Sequence, residues 1–417
     1  MNYLLRIFRV PEIRNGLLFI LMVLTIFRLA AHIPVPGIDA SSLSSLLSGN
    51  QFLGLLNVFS GGTLENFSIV ALGVAPYITA SIIFQLLGMI FPSVEEMQKE
   101  EQGRQKLNRW TRFATVPLSI LQGYALVTLI NQSTGLSIGG FDLAIALVCM
   151  TAGTIFLMWL AELISERKMG NGMSIMIFAG IIAAFPGFLA QTLATYTRAD
   201  LMDMVIFAML TLVTIVGVVF VSEGQRNLPV QYARGGGTNG GTKVISSLPL
   251  RVNMGGMIPI LFALSLITLP PLVGQFFVDA RTQIVRDIAG WVVSAFSTGW
   301  VYALAYFGLV VMFTFFYAGI VFRPEQVAEN LQKQGGFIPG VRPGVPTANY
   351  LQWVVNRILL AGAVFLATIA VLPVIMQEVT GNPNLLVGGS SVIIIVSVII
   401  DIVKQTEAQL SMRSYDL

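Results

Sequence analysis

The chain has 417 residues, of which 55% are hydrophobic and only 11% charged, against roughly 25% charged residues in an ordinary soluble domain. A net charge of +3 is too small to point to nucleic acid by itself, so the placement of the charges carries more than their sum. Lipid is the solvent for much of this surface, and a single membrane domain over 1–417 is the simplest organisation.

The N-terminus carries Arg6, Arg9 and Arg14 and leads straight into a long apolar run with no small-residue cleavage pattern, which reads as a retained first helix. Ten apolar stretches follow one another at 16–36, 69–91, 113–130, 143–161, 173–194, 201–221, 254–274, 300–322, 358–376 and 385–403. An even number of spans puts both termini on one side. With the N-terminus in the cytosol, 20 of the 24 Lys and Arg are cytosolic, Arg198, Arg281 and Arg286 lie outside, and Arg28 lies within a span. This asymmetry sets the orientation.

The connections are unequal. The outside segment 37–68 has no Lys or Arg; it contains the short apolar run Phe52 to Phe59 and the breaker Ser60-Gly61-Gly62, which lets the chain fold back toward the membrane. On the cytosolic side, 222–253 carries a glycine-rich tip over 235–241, and 323–357 carries the Pro- and Gly-rich run from Phe337 to Gly344. Both are expected to protrude as exposed loops. The connection 275–299 spaces Ile284, Ile288, Trp291 and Val292 as a helix lying on the outer interface. No connection is long enough to bury an independent soluble core.

Catalytic signatures are missing: there is no phosphate-binding G-x-x-x-x-G-K-[ST] loop and no H-E-x-x-H. One histidine, His32, and one cysteine, Cys149, argue against a metal site, a disulfide framework or a Cys-His nucleophile. Work against a gradient then needs an outside engine. The ionisable residues within spans are Arg28, His32, Asp203 and Asp401. Both aspartates stand near span ends, His32 suits snorkelling to the interface or a structural hydrogen bond, and Arg28 suits a buried structural pairing ahead of a transport role.

Four spans carry a backbone breaker at or near their start. Gly73 and Pro76 accompany Val74 and Ile78, Gly170-Asn171-Gly172 precedes Met173 and Ile177, Pro259 precedes Leu261, and Gly388-Gly389 precedes Ile394. Breakers at membrane depth mark helices that line a cavity, or else merely permit close helix packing. Val74, Ile78, Ser81 and Gln85 fall on one helix face that runs from apolar to polar, and a lipid-facing stripe has no need of Gln85.

The stretches His32-Ile33-Pro34-Val35-Pro36-Gly37, Phe59-Ser60-Gly61-Gly62, Ala71 to Ile78, Gly170-Asn171-Gly172 and Phe337 to Gly344 resemble, in order and nearly end to end, the SecY/Sec61 alpha family of protein-conducting channels. The resemblance implies an all-α, polytopic membrane protein of ten transmembrane helices. They would form two pseudo-symmetric inverted halves, 1–194 and 201–406, around an hourglass pore that opens sideways between the second and seventh helices. It implies a pore ring of Val74, Ile78, Met173, Ile177, Leu261 and Ile394, and a plug near 57–67 that includes Asn57, Phe59, Ser60, Gly61, Gly62, Leu64 and Phe67. A ring of large apolar side chains would block ions by dewetting yet yield around a threading chain.

Thr79, Ser81, Gln85 and Ser265 would line the sideways gate. A signal peptide, with roughly 7–15 apolar residues, would gain several kcal/mol from lipid at roughly −0.3 to −0.6 kcal/mol for each Leu-like residue once that gate parts. The two cytosolic loops, through Arg234, Lys243, Arg251 and above all Arg342, would dock the ribosome and the motor ATPase SecA. The resemblance further implies the small subunits SecE and SecG, passage of signal peptides and nascent chains, contact with membrane lipid, no cofactor and the bacterial cytoplasmic membrane. The first of these loops departs from the family in having a glycine-rich tip with only Arg234 and Lys243 near it. An ion-coupled small-molecule transporter is the alternative, which would need carboxylates or broken half-helices aimed at a central substrate. An intramembrane hydrolase lacks its catalytic pair.

Overall fold

The computed structural model describes residues 10–36, 57, 60–64, 66–134, 139–194, 201–232, 245–278, 282–297, 299–380 and 384–413. The helices in chain order are α1 (Pro11–Ala30), α2 (Ala75–Ile90), α3 (Pro92–Lys99), α4 (Glu101–Thr134), α5 (Gly140–Glu166), α6 (Gly172–Ala194) and α7 (Leu201–Glu223). Strands β1 (Gln225–Tyr232) and β2 (Ile245–Arg251) then precede α8 (Ile258–Phe277), α9 (Gln283–Ser297), α10 (Gly299–Val321) and α11 (Pro324–Lys333). Strand β3 (Gly336–Phe337), α12 (Val345–Thr380) and α13 (Asn384–Arg413) complete the described elements.

Each of the ten apolar stretches coincides with one helix, because a backbone in lipid satisfies its polar groups only within the segment. Among the described residues, five helices are long and apolar enough to cross a membrane, or six when α2 and α3, bent by 117° at Phe91, count as one span. Proline opens α1, α2, α3, α8 and α11, where the missing N–H has no intrahelical partner in any case.

Two span boundaries differ from expectation. The first helix stops at Ala30, and Pro34 instead pairs with Ser68: Val35 N–H donates to the Phe67 carbonyl at 2.9 Å and Ile69 N–H to the Ile33 carbonyl at 3.0 Å. Pro34 and Pro36 cannot supply helix donors, so the chain turns extended there. The second helix begins only at Ala75, since 69–74 is a run of turns with Gly73 at φ +57°.

The helices up to Ala194 pack on one another, α1 on α5 and α6, α2 on α4 and α5, and α4 through α6 in sequence; those from Leu201 do the same, with α7 on α12 and α13, α8 on α10, and α10 on α12. The two sets meet along two seams. In the front seam α8 lies against α2 and α4, and in the back seam α13 lies against α6.

The two connections expected to protrude as exposed cytosolic loops share a sheet. Strand β1 pairs antiparallel with β2, from Gln225↔Arg251 to Gln231↔Ile245, and its far end pairs with β3 at Gln231↔Phe337 and Tyr232↔Gly336. Leu228, Val230, Leu250, Leu331, Ile338, Leu351, Val354 and Val355 form a buried cluster beneath this three-stranded sheet. Neither connection could build a core alone; together, with the start of α12, they do. At 1.5 Å per residue the 36-residue α12 is ~54 Å long, well beyond the ~30 Å hydrocarbon layer, and its first turns form a wall of this module. The expected outer interfacial helix is α9, whose Ile284, Ile288 and Trp291 are exposed while Ala289 is buried.

Candidate functional site

The six apolar residues expected at a constriction come from four helices and both helix sets. Val74 is the N-cap of α2 and Ile78 lies in its first turn; Met173 and Ile177 open α6, Leu261 opens α8, and Ile394 lies within α13. Val74, Ile78, Ile177, Leu261 and Ile394 are all buried in one contiguous apolar cluster, Ile394 completely, and the half-buried Met173 packs against it. Three of the breakers have a local reason. Asn171 caps α6 through its Oδ1, which accepts from Met173 N–H at 3.0 Å; Ser165 Oγ accepts from Gly172 N–H at 2.9 Å; and Pro259 stands in the first turn of α8. They set where the helices begin, and thereby the depth at which Met173 and Leu261 stand.

On one side the cluster borders a cavity of about 850 Å³. Ile78, Met173, Leu261 and Phe262 line it alongside polar groups: Ser81 and Gln85 of α2, Asn108 and Arg112 of α4, Glu162 and Ser165 of α5, and Gln405 and Gln409 of α13. Arg112 Nε pairs with Glu162 Oε1 at 2.6 Å across α4 and α5. A cavity with a largely polar wall thus adjoins the buried apolar cluster. Among the described residues no three His, Cys, Asp or Glu side chains come together to hold a metal ion.

Of the outer segment expected as a plug, Asn57, Ser60, Gly61, Gly62, Leu64 and Phe67 are described; Phe59, like Gly37, lies outside the described residues. These residues divide into two parts. Gly61, at φ +78°, lies so close to α6 that a Cβ on it would stand 2.6 Å from the Gly180 Cα. Only glycine at both positions allows this approach. Gly62 N–H and Ser60 Oγ–H both donate to the Asn57 carbonyl, at 2.8 and 3.0 Å. Leu64 and Phe67, by contrast, are buried in a second cluster with Val35, Leu126, Ile130 and Met150, away from the waist cluster. Thr63 Oγ1 bonds to the Ser60 and Val70 carbonyls and so staples the turn between the two parts.

The four polar residues expected at the sideways opening are not alike. Ser81 and Gln85 are half-buried, bond to each other at 3.0 Å, and line the cavity. Thr79 is buried and turned toward α4, where Gln122 Nε2 donates to its Oγ1 at 3.3 Å. Ser265 is half-buried on α8, and its carbonyl accepts from Thr268 Oγ1 at 2.8 Å.

Among the ionisable residues, His32 makes a structural hydrogen bond, its Nδ1–H donating to the Arg28 carbonyl at 2.8 Å. The buried pairing expected for Arg28 is not formed among the described residues: its side chain is half-buried and no ion pair joins it. The side chain of Asp203 lies outside the described residues, and Asp401 stands beside Gly256 in the middle of α13. On the three-stranded sheet module Arg251 and Arg342 are exposed, and the Arg342 turn is held by Thr347 Oγ1 donating to the Arg342 carbonyl at 2.8 Å. Arg234 and Lys243 fall outside the described residues.

Sequence reading missed Gly180, the seat of the outer segment, and the polar cavity wall of Asn108, Arg112, Glu162 and Gln409. The signals were present: a glycine in the middle of the apolar run of α6, and opposite charges near the ends of neighbouring spans.

Comparison with known proteins fits this geometry. A model of the SecY family matches residues 68–403. The protein translocase subunit SecY of Streptomyces coelicolor is 42% identical over 438 aligned residues, covering 99% of this chain and 98% of its own length. A solved structure of SecY, described for a plug domain that stabilises the closed state of the channel, superposes with a TM-score of 0.66 at 18% identity, covering 94% of this chain and 91% of that one. A yeast Ssh1 complex bound to the 80S ribosome gives a TM-score of 0.66 at 15% identity, covering 93% of this chain and 88% of that one. The low identity of these structures speaks to fold alone, but the family match and the full-length likeness to the Streptomyces subunit are decisive: the chain belongs to the SecY family.

Proposed function

We propose that this chain is the channel subunit of a protein translocase, through which unfolded polypeptides cross a membrane and from which apolar segments leave sideways into lipid. The observation that carries this reading is the gathering of Val74, Ile78, Met173, Ile177, Leu261 and Ile394, from both helix sets, into one buried apolar cluster beneath a polar cavity. Large apolar side chains seal against ions because water leaves so narrow a greasy passage. They hold a moving chain with no strong directional bonds, so sealing and passage coexist.

The two helix sets act as halves of a clamp, 1–194 and 201–406. The front seam is the sideways exit, with Ser81, Gln85 and Ser265 beside it and Thr79 bracing α2 on α4. Ser60, Gly61 and Gly62, seated on α6, are the displaceable part of the plug, while Leu64 and Phe67 anchor its base. The cytosolic module presents Arg251 and Arg342 to a ribosome or to the motor ATPase SecA; the Ssh1 structure is a relative on a ribosome. SecE and SecG complete the complex in the bacterial cytoplasmic membrane, with both termini cytosolic. No catalytic residue or cofactor enters this reading, and the transporter alternative gains no support from relatives that are translocase subunits and channels.

The test is a photocrosslinker placed at Leu261 or Ile177 in the assembled complex, with a secretory precursor arrested midway. Crosslinks to the precursor from both positions, and none from Ile130 in the second cluster, are expected. Equal labelling from all three positions would refute passage through the waist.

A further inference from the structure

Along the front seam the side-chain bonds do not cross between the helix sets: Gln122 Nε2 donates to Thr79 and Gln85 Nε2 to Ser81 within the first set, Gln85 Oε1 has no partner among the described residues, and Thr268 bonds to the Ser265 carbonyl within α8. What joins the two sets at the outer end of this seam is aromatic. Tyr124 of α4 and Phe276 of α8 stack with ring centroids 5.5 Å apart and planes 10° from parallel. Such an offset-parallel pair contributes beyond its buried area.

The two rings stand on unequal supports. Tyr124 belongs to a firmly packed turn: Ala125, Leu126 and Val127 are buried, and a Cβ on Gly123 would stand 3.2 Å from both Leu147 and Met150 of α5. Phe276 lies in the last turns of α8, just past the consecutive prolines Pro270 and Pro271. Each proline removes a backbone hydrogen bond and its ring presses on the preceding turn, so the helix is weakest there. Around the rings, Leu121 on one side and Val273 and Phe277 on the other are about half exposed, so the stack stands where the seam meets lipid.

We propose that Tyr124 and Phe276 form a clasp that holds the outer end of the seam shut and sets how apolar a segment must be to part it. A fixed ring on α4 catches a ring on the proline-jointed end of α8. The residues act by positioning α8, not by touching the threading chain. The inference rests on the reading of the front seam as the sideways exit.

The test uses the full complex in vesicles and a precursor whose apolar signal run has been shortened until export is poor. Tyr124→Leu and Phe276→Leu keep bulk and lipid compatibility but remove the stack. Each is expected to raise export of the weak precursor roughly three- to tenfold, the range of an aromatic pair, and to leave export of a strong precursor unchanged. The double variant is expected to match the single ones, because a shared contact is lost only once. Effects that multiply in the double variant, or no rise in either single variant, would overturn the clasp. A separate arm distinguishes failure of the exit itself. In a Cys149→Ser background, Tyr124→Cys and Phe276→Cys joined by a short bis-maleimide should block release of a membrane-anchor segment. Undiminished release would refute the front seam as exit, whereas a block combined with inert leucine variants would refute the clasp alone.

Discussion

At the back of the molecule, α13 meets α6 within the main apolar cluster, where Ile394 and Ile177 are buried and Ile402 reaches the Gly170 turn; Gln409 Nε2 then crosses to the Lys168 carbonyl at 2.7 Å. At the front, α8 meets α2 and α4 beside two cavities, the large one above the waist and a second of about 540 Å³ lined by Ser81, Gln85 and Arg104 on one side and Phe322 and Arg323 on the other. The back seam joins buried apolar side chains at the waist and carries a hydrogen bond beyond it, where Met173 and Gln409 also border the large cavity. The front seam borders the same cavity and the second one, and the side-chain bonds made by α2 and α4 stay within one helix set. Separating fully buried apolar side chains forfeits dispersion and apolar burial, while separating half-buried polar groups forfeits less. The two seams therefore differ in the side chains they hold: Ile177 and Ile394 are buried behind, and Ser81, Gln85 and Ser265 are half-buried in front.

The sharpest way to break this comparison is to weaken the back seam. Ile394→Ala removes a fully buried side chain and is expected to lower stability by about 2–5 kcal/mol. Ser265→Ala at the front should stay within about 0.5 kcal/mol. Thermal unfolding of the purified complex checks both, and equal losses would erase the distinction. Next in size is Gly61→Ala, which puts a side chain at φ +78° and against the Gly180 backbone. The backbone term alone is about 1–2 kcal/mol. In a Cys149→Ser background, a cysteine at Ser60 should then be alkylated roughly tenfold faster, since each 1.4 kcal/mol is a factor of ten, while one at Leu64 stays protected.

A smaller effect is expected from Gln122→Ala, which removes the bond to Thr79 and should cost about 0.5–1.5 kcal/mol. It loosens α2 from α4, and limited proteolysis should show the loss confined to the N-terminal helix set. The smallest change in stability belongs to Arg342→Glu, on an exposed turn far from either seam. It should leave unfolding within about 0.5 kcal/mol and still impair ATPase-driven export in vesicles. Unchanged export would remove Arg342 from motor docking.

Local pattern made much of this legible in the sequence. Apolar runs placed the helices because lipid permits little else, and the spacing of Ile78, Ser81 and Gln85 on α2 marked a face that does line the cavity. What escaped was decided by distant partners. Leu228 and Val230 alternate as a strand should, yet nothing near them announced that β3, more than a hundred residues on, would complete their sheet. Ser60-Gly61-Gly62 announced a turn but not its receiving surface, so Leu64 and Phe67 were grouped with residues whose neighbours are different. Thr79 shares a helix face with no obvious claim on Gln122, and only packing assigned it to α4. Arg28, expected to find a partner, has no ion pair among the described residues.

The central claim is that the buried apolar waist is the seal. Ion conductance across a planar bilayer holding the complex, with Val74, Ile78 and Ile177 all replaced by glycine, tests it most directly. A resting conductance well above that of the unaltered complex is the predicted result; a membrane as tight as before would contradict the account.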